Sequence, residues 1–203
     1  MKYRESGMPD EKMWDSFFNP RQILGRMGVN REIKTLLDIG CGYGTFLIPA
    51  ASLVGEKVIG IDIENEMIET CQAKARDRSL PNVHLICGDF SAEETRKALK
   101  QNAGAIDYIC LFNILHCERP LDLLGNVYDL LANDGKIGVI HWKYEETPRG
   151  PSMEIRPAPE TIINWAAKTG FSLEKYVALP PYHFGLIFRK NLKEDKNNPD
   201  YSI

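Results

Sequence analysis

Three glycines in five residues, Gly40, Gly42 and Gly44, follow the run Leu36-Leu37-Asp38-Ile39 and precede a segment of helical character over Thr45–Val54. Glycine permits a sharp turn and a close approach of ligand to main chain, and a helix N-terminus offers free amide donors with a partial positive charge. Such a loop is built to hold a polar or anionic ligand. The dinucleotide fingerprint GxGxxG would put its third glycine at position 45, which is Thr45, so the order is GxGxG and a pyrophosphate is disfavoured. Asp62 closes the run Val58-Ile59-Gly60-Ile61 and lies 22 residues beyond Gly40, near the spacing of roughly 20 at which an acid meets ribose hydroxyls. The plainer alternatives are a turn without ligand for the glycines and a helix cap for Asp62. Pro49 lies inside the segment after the loop and predicts a kink or a displaced helix start there.

A second set of residues suits proton transfer and substrate contact. His116 falls just past the carboxyl end of the fourth expected strand, where open α/β sheets place their ligands. It is the leading candidate for base or substrate contact, and the alternative is a local hydrogen bond at the start of the Glu118-Arg119-Pro120 loop. His141 stands beside Trp142 near the end of the fifth strand, and alternation sends the two to opposite faces. Either can reach a pocket, with core packing expected for one of them. The loop after that strand offers Tyr144, Arg149 and Arg156, and an arginine fork matches a carboxylate or phosphate; the alternative is a solvated cluster with Glu145, Glu146 and Glu154. Trp14 and Phe18, with Met13 and Phe17, form an aromatic group ahead of the first strand that suits a lid or a helix packed on the sheet. His183, between Tyr182 and Phe184, reads as a packing residue.

These residues need a scaffold, and apolar runs of strand length alternate with segments of helical period, the pattern of a parallel sheet covered by helices. The spacing predicts strands at Lys34–Ile39, Lys57–Asp62, Val83–Cys87, Ile106–Asn113 and Lys136–Trp142. Met67, Ile68, Cys71 and Ala75 share one face of a helix between the second and third strands. Ser91 and Glu94 read as a capping box opening a helix that runs to Asn102, and a further helix carrying Leu121, Leu124, Val127, Leu130 and Leu131 ends at an Asn133-Asp134-Gly135 turn. Past Trp142 a charged, proline-rich loop leads to a helix over Glu160–Thr169 and then to two β-rich runs, Phe171–Leu179 and Tyr182–Arg189, that suit a hairpin.

Bulk properties narrow the class. The 203 residues fit one domain, and 43% hydrophobic with 26% charged residues is ordinary for a globular protein. The net charge of -3 offers no general attraction to nucleic acid or to an anionic membrane. No apolar run reaches the roughly 18 residues of a membrane helix, and the N-terminus lacks the apolar core of a signal peptide, so a cytoplasmic location is expected. The five cysteines, Cys41, Cys71, Cys87, Cys110 and Cys117, are odd in number and without CxxC spacing, which suits reduced thiols and gives no metal-site pattern.

The motifs LLDIGCGYG, VIGIDIENEMI, CGDF, IDYICLFNILH and NDGKIGVIHW, in that order, resemble the class I S-adenosylmethionine-dependent methyltransferases over roughly residues 15 to 190. The branch they are most similar to is that of the quinone-biosynthesis C-methyltransferases and small archaeal and bacterial homologues. The resemblance implies a Rossmann-like three-layer α/β sandwich, with a seven-stranded mostly parallel sheet whose last strand is antiparallel. It implies S-adenosyl-L-methionine as cofactor and S-adenosyl-L-homocysteine as product, and size, charge and the want of a basic stripe make a small-molecule acceptor rather than nucleic acid the expectation. Asp38, Gly40, Cys41, Gly42 and Gly44 would then line the methionine part, Asp62 the ribose and Ile63 the adenine. Asp89 and Phe90 match the position that meets the adenine amino group and ring, and Asn113 the position that meets the methionine group. The implied organisation is a helical lid segment over 1–30, the catalytic domain over 31–190 and a disordered tail over 191–203. A non-catalytic cofactor-binding scaffold and, against the Thr45 evidence, an NAD-dependent oxidoreductase are the alternative readings. Nothing in the pattern fixes the oligomeric state or the methylated atom.

Overall fold

The computed structural model describes residues 19–192. The expected lid residues Met13, Trp14, Phe17 and Phe18 lie outside that range, as does nearly all of the expected tail. Asn191, which opens the tail, is anchored: its main-chain oxygen accepts from Tyr128 Oη at 2.6 Å and its side chain from Ser172 Oγ at 2.7 Å.

Helix α1 (Pro20–Arg26) leads into β1 (Thr35–Ile39), α2 (Leu47–Ala50), β2 (Lys57–Asp62), α3 (Asn65–Asp77), β3 (Val83–Cys87), α4 (Glu93–Asn102) and β4 (Ile106–Phe112). The chain continues through α5 (Pro120–Leu130), β5 (Leu131–Trp142), α6 (Pro159–Lys168), β6 (Phe171–Leu179) and β7 (His183–Lys190). The seven strands form one sheet in the order β3-β2-β1-β4-β5-β7-β6. Its first five strands run parallel, and β7 is antiparallel to both β5 and β6. The fold class expected from the sequence is therefore the one observed.

Alternation along the strands explains the layers. Leu36 and Val58 face one side with Leu24 of α1, Leu47 of α2 and Cys71 of α3. Their neighbours Leu37 and Ile59 face the other with Leu99 of α4, Leu123 and Val127 of α5 and Ile162 of α6. Each fully buried leucine of this kind stabilises by about 1.5–3 kcal/mol. Tyr108 is completely enclosed, its hydroxyl donates to Met27 O at 2.8 Å, and a Cβ on Gly138 would sit 2.1 Å from that hydroxyl oxygen. Packing alone thus requires glycine at 138.

Three local expectations are corrected. The helix foreseen over Thr45–Val54 shrinks to the four residues of α2, because Pro49 supplies no N–H and its ring crowds the preceding turn. The Ser91–Glu94 capping box does not form: Ser91 N donates to Asp89 Oδ1 at 2.7 Å, and α4 starts at Glu93 without a side-chain cap. The expected turn at Asn133-Asp134-Gly135 is absorbed into β5, which starts at Leu131 and shifts register against β4 between Ile106 and Tyr108.

Candidate active site

Strand order reverses between β1 and β4, and ligands of open α/β sheets lie in the crevice at the carboxyl ends flanking such a point. β1 arrives there with Asp38 and passes into Gly40, β2 arrives with Asp62, and β4 gives way to Asn113. Gly40 N and Cys41 N both donate to Ile61 O, at 2.8 and 3.1 Å, and Gly42 N donates to Asp62 Oδ2 at 2.8 Å. The other oxygen of Asp62 accepts from Glu64 N at 3.0 Å. Asp62 therefore ties the glycine loop to the end of β2. Gly42 and Gly44 hold φ of 51° and 78°, and at Gly44 a Cβ would also meet Cys71 Sγ at 2.9 Å. The amides of Gly40, Cys41, Gly42 and Gly44 are thus engaged in holding the loop's own shape.

Two polar groups here stand out. Burial first, and the charge of Asp62 second, push the Asp38 carboxyl up to about 7. Asn113 adopts φ 56°, and neither its Nδ2 nor its Oδ1, both buried, has a hydrogen-bond partner among the described residues. A non-glycine residue in this conformation costs about 1–3 kcal/mol, and an orphaned buried amide costs about 1–3 kcal/mol more. The next residue, Ile114, abuts the loop: a Cβ on Gly40 would lie 3.1 Å from its Cγ2.

Past Asn113, the rings of His116 and His141 meet edge to face, with Nδ1 of His116 and Nε2 of His141 3.4 Å apart. Both are buried. Burial, then the neighbouring His116, lowers His141 to about 3, so it stays neutral through the physiological range. His183 is likewise lowered to about 3, by burial and then by Arg156, and its ring packs 4.1 Å from that of Trp142.

Residues 36–135 match the methyltransferase domain family. Over that segment the chain resembles the class I, S-adenosylmethionine-dependent methyltransferases. Over 128 residues it is 46% identical to nocamycin O-methyltransferase of Saccharothrix syringae, an alignment covering 61% of this chain and 43% of that protein. It is 26% identical to tRNA U34 carboxymethyltransferase of Haemophilus ducreyi, covering 83% of this chain and 54% of the relative. The chain spans about half the length of these relatives. Its fold superposes on the crystal structure of a SAM-dependent methyltransferase from Aquifex aeolicus with a TM-score of 0.75 and 22% identity, covering 89% and 94% of the two chains. Among the described residues, no helix is long and apolar enough to cross a membrane.

The remaining candidate residues fall into two groups. Ile63 is 45% exposed beside Asp62, and Asp89, half-buried just past β3, accepts from Ser91 N. Cys41 and Phe90 differ from expectation. The Cys41 side chain turns into the core under the loop, where a hydrogen bond with Cys71 and then burial push its thiol far up. The Phe90 ring is 1% exposed and fills the opposite core, so it leaves no ring face open at the surface. Alternation cannot foretell such burial in loop residues.

The arginines separate too. Arg156 is buried, and its guanidinium donates to the carbonyls of Lys143, Glu145, Arg149 and Pro151 and to Thr147 Oγ1. It braces its own loop instead of offering a fork, which corrects the substrate role foreseen for it. Arg149 is exposed and lines none of the described cavities. Tyr144 does border one, a cavity of about 530 Å³ that opens beside His116. Met153 and Trp165 complete its wall and went unrecognised, because Trp165 has the spacing of an ordinary helical core residue and Met153 lies in a loop without period.

Proposed function

We propose that the protein transfers the methyl group of S-adenosylmethionine to a small-molecule acceptor. The observation that carries this reading is Asn113, a strained residue with an unpartnered buried amide next to a three-glycine loop pinned by Asp62. Such a group is retained where a ligand completes it. Asp38, Gly40, Gly42, Gly44 and Asn113 hold the methionine end, Asp62 the ribose, and Ile63 with Asp89 the adenine. When bound, the cofactor supplies a methyl group already activated on a sulfonium. What the chain must do is hold the acceptor in line, exclude water and take up a proton where the acceptor carries one. His116 takes that proton on Nε2 while donating from Nδ1 to the neutral His141, which fixes its ring and tautomer. The acceptor enters through the cavity beside His116.

The likeness to nocamycin O-methyltransferase and the net charge of -3 support a small acceptor. An RNA acceptor is the second reading, favoured by the tRNA-modifying relative that aligns with 83% of the chain. Calorimetric titration with S-adenosylmethionine and, separately, with NAD tests the cofactor assignment. The methionine cofactor is expected to bind, and Gly42→Arg and Asp62→Ala variants that remain folded are expected to lose it. Binding of NAD alone, or of neither, would overturn the proposal. Transfer of a labelled methyl group from the cofactor into a metabolite extract rather than into total RNA separates the two acceptor classes.

A further inference from the structure

We infer that the acceptor is a flat, largely apolar molecule carrying no carboxylate or phosphate in the part the protein encloses. This rests on the reading that the cavity beside His116 receives the acceptor. Its volume of about 530 Å³ lies within the roughly 300–1,000 Å³ of small-ligand sites.

Part of the lining is aromatic and aliphatic. Tyr144, Met153 and Trp165 border the space beside polar residues, with Tyr144 55% and Met153 38% exposed at its mouth. Apolar surface of this kind, left open to water, gains most from a planar apolar occupant.

The polar part of the lining argues against an anion. Glu118 and Glu154 are both exposed carboxylates. Arg156 is the one cationic side chain lining the cavity among the described residues, and its donors are directed at four loop carbonyls and the Thr147 hydroxyl. The neighbouring cations are engaged as well: Arg119 pairs with Asp122, and Lys143 lies 3.5 Å from Glu145. An enclosed carboxylate or phosphate would give up hydration, find no free fork and meet two like charges. A neutral ring bearing a hydroxyl meets none of these penalties, and it presents a proton that His116 can take.

Three probes that share a ring system isolate charge from shape: 2-naphthol, 2-naphthoate and 2-naphthyl phosphate. Each is titrated at neutral pH into full-length protein carrying ¹³C-methyl methionine, with the Met153 resonance assigned through Met153→Leu. Naphthol is expected to shift the Met153 methyl with an affinity about tenfold or more above that of either anion. Glu118→Gln with Glu154→Gln is expected to narrow the gap by admitting the anions. The inference is overturned if either anion binds as tightly as naphthol, or if none of the three moves Met153 at concentrations up to about 5 mM. Calorimetry with S-adenosylmethionine on the same sample keeps the outcomes apart. Failure there removes the cofactor reading, whereas a silent Met153 with the cofactor bound removes only this one.

Discussion

The carboxyl edge of the sheet treats polar groups in two opposite ways. At the junction of β1, β2 and β4, the Asn113 amide is buried without a partner and the Asp38 carboxyl is held near 7 by burial and Asp62. Beyond β5, the Arg156 guanidinium is as deeply placed, yet it is matched to carbonyls of the loop that surrounds it. Both halves contain groups that sequence reading assigns to ligands, and burial alone does not tell them apart. Between Asn113 and Arg156 the difference lies in satisfaction: the guanidinium is matched within its own loop, and the buried amide atoms have no partner among the described residues.

Substitutions on the two sides should therefore separate binding from stability. The largest effect is expected at Gly44→Val, where a side chain at φ 78° collides with Cys71. Calorimetry should find cofactor affinity reduced about 100-fold or more, with circular dichroism showing a retained fold. Arg156→Met should do the reverse. It leaves several loop carbonyls without their donor, so urea unfolding should show a loss of about 3 kcal/mol with cofactor affinity unchanged. A loss of affinity without a loss of stability would erase the distinction between the halves.

The histidines sharpen the comparison through pH. His141 and His183 sit near 3 when folded and near 6.5 when unfolded, so below 6.5 the unfolded chain binds the extra protons. Stability from these groups is complete above about 6.5 and is lost progressively as pH falls toward 3. Replacing His141 with Asn should lower the acid-side slope in a denaturation series by about one proton.

On the unfinished side, Asn113→Gly removes backbone strain and the orphaned amide together. Melting should report a gain of about 1 kcal/mol in stability while cofactor affinity drops about tenfold. A gain in both would mean that Asn113 does not meet the ligand. A further effect concerns Asp38. Its folded value of about 7 stands above the ordinary 3.8, so from about pH 4 to 7 the folded state holds a proton that the unfolded chain has lost. Its contribution therefore falls as pH rises through that window and levels off above 7. A cationic cofactor favours the ionised form, so affinity should weaken below pH 7 by up to about tenfold per unit, and Asp38→Asn should flatten the dependence.

Much of this was legible along the chain. The β2 and β3 boundaries follow directly from apolar runs closed by polar residues, and the hairpin of β6 and β7 differs from its expected limits by one residue. Gly40, Gly42, Gly44 and Asp62 were legible because a turn that only glycine can make and a fixed strand-to-strand spacing are local properties. Local rules also misled. Ser91 and Glu94 have the spacing of a capping box, but Asp89 captures the Ser91 amide first.

By itself the sequence determined the parallel sheet, the glycine loop and the acid that meets it, since periodicity and backbone freedom are carried by each segment alone. Tertiary structure decided the rest. It turned Arg156 inward and left Arg149 outside, buried the Phe90 ring, paired His116 with His141, and left Asn113 unpartnered. Whether a polar group is satisfied depends on what distant segments bring to it, and spacing along one chain does not record that.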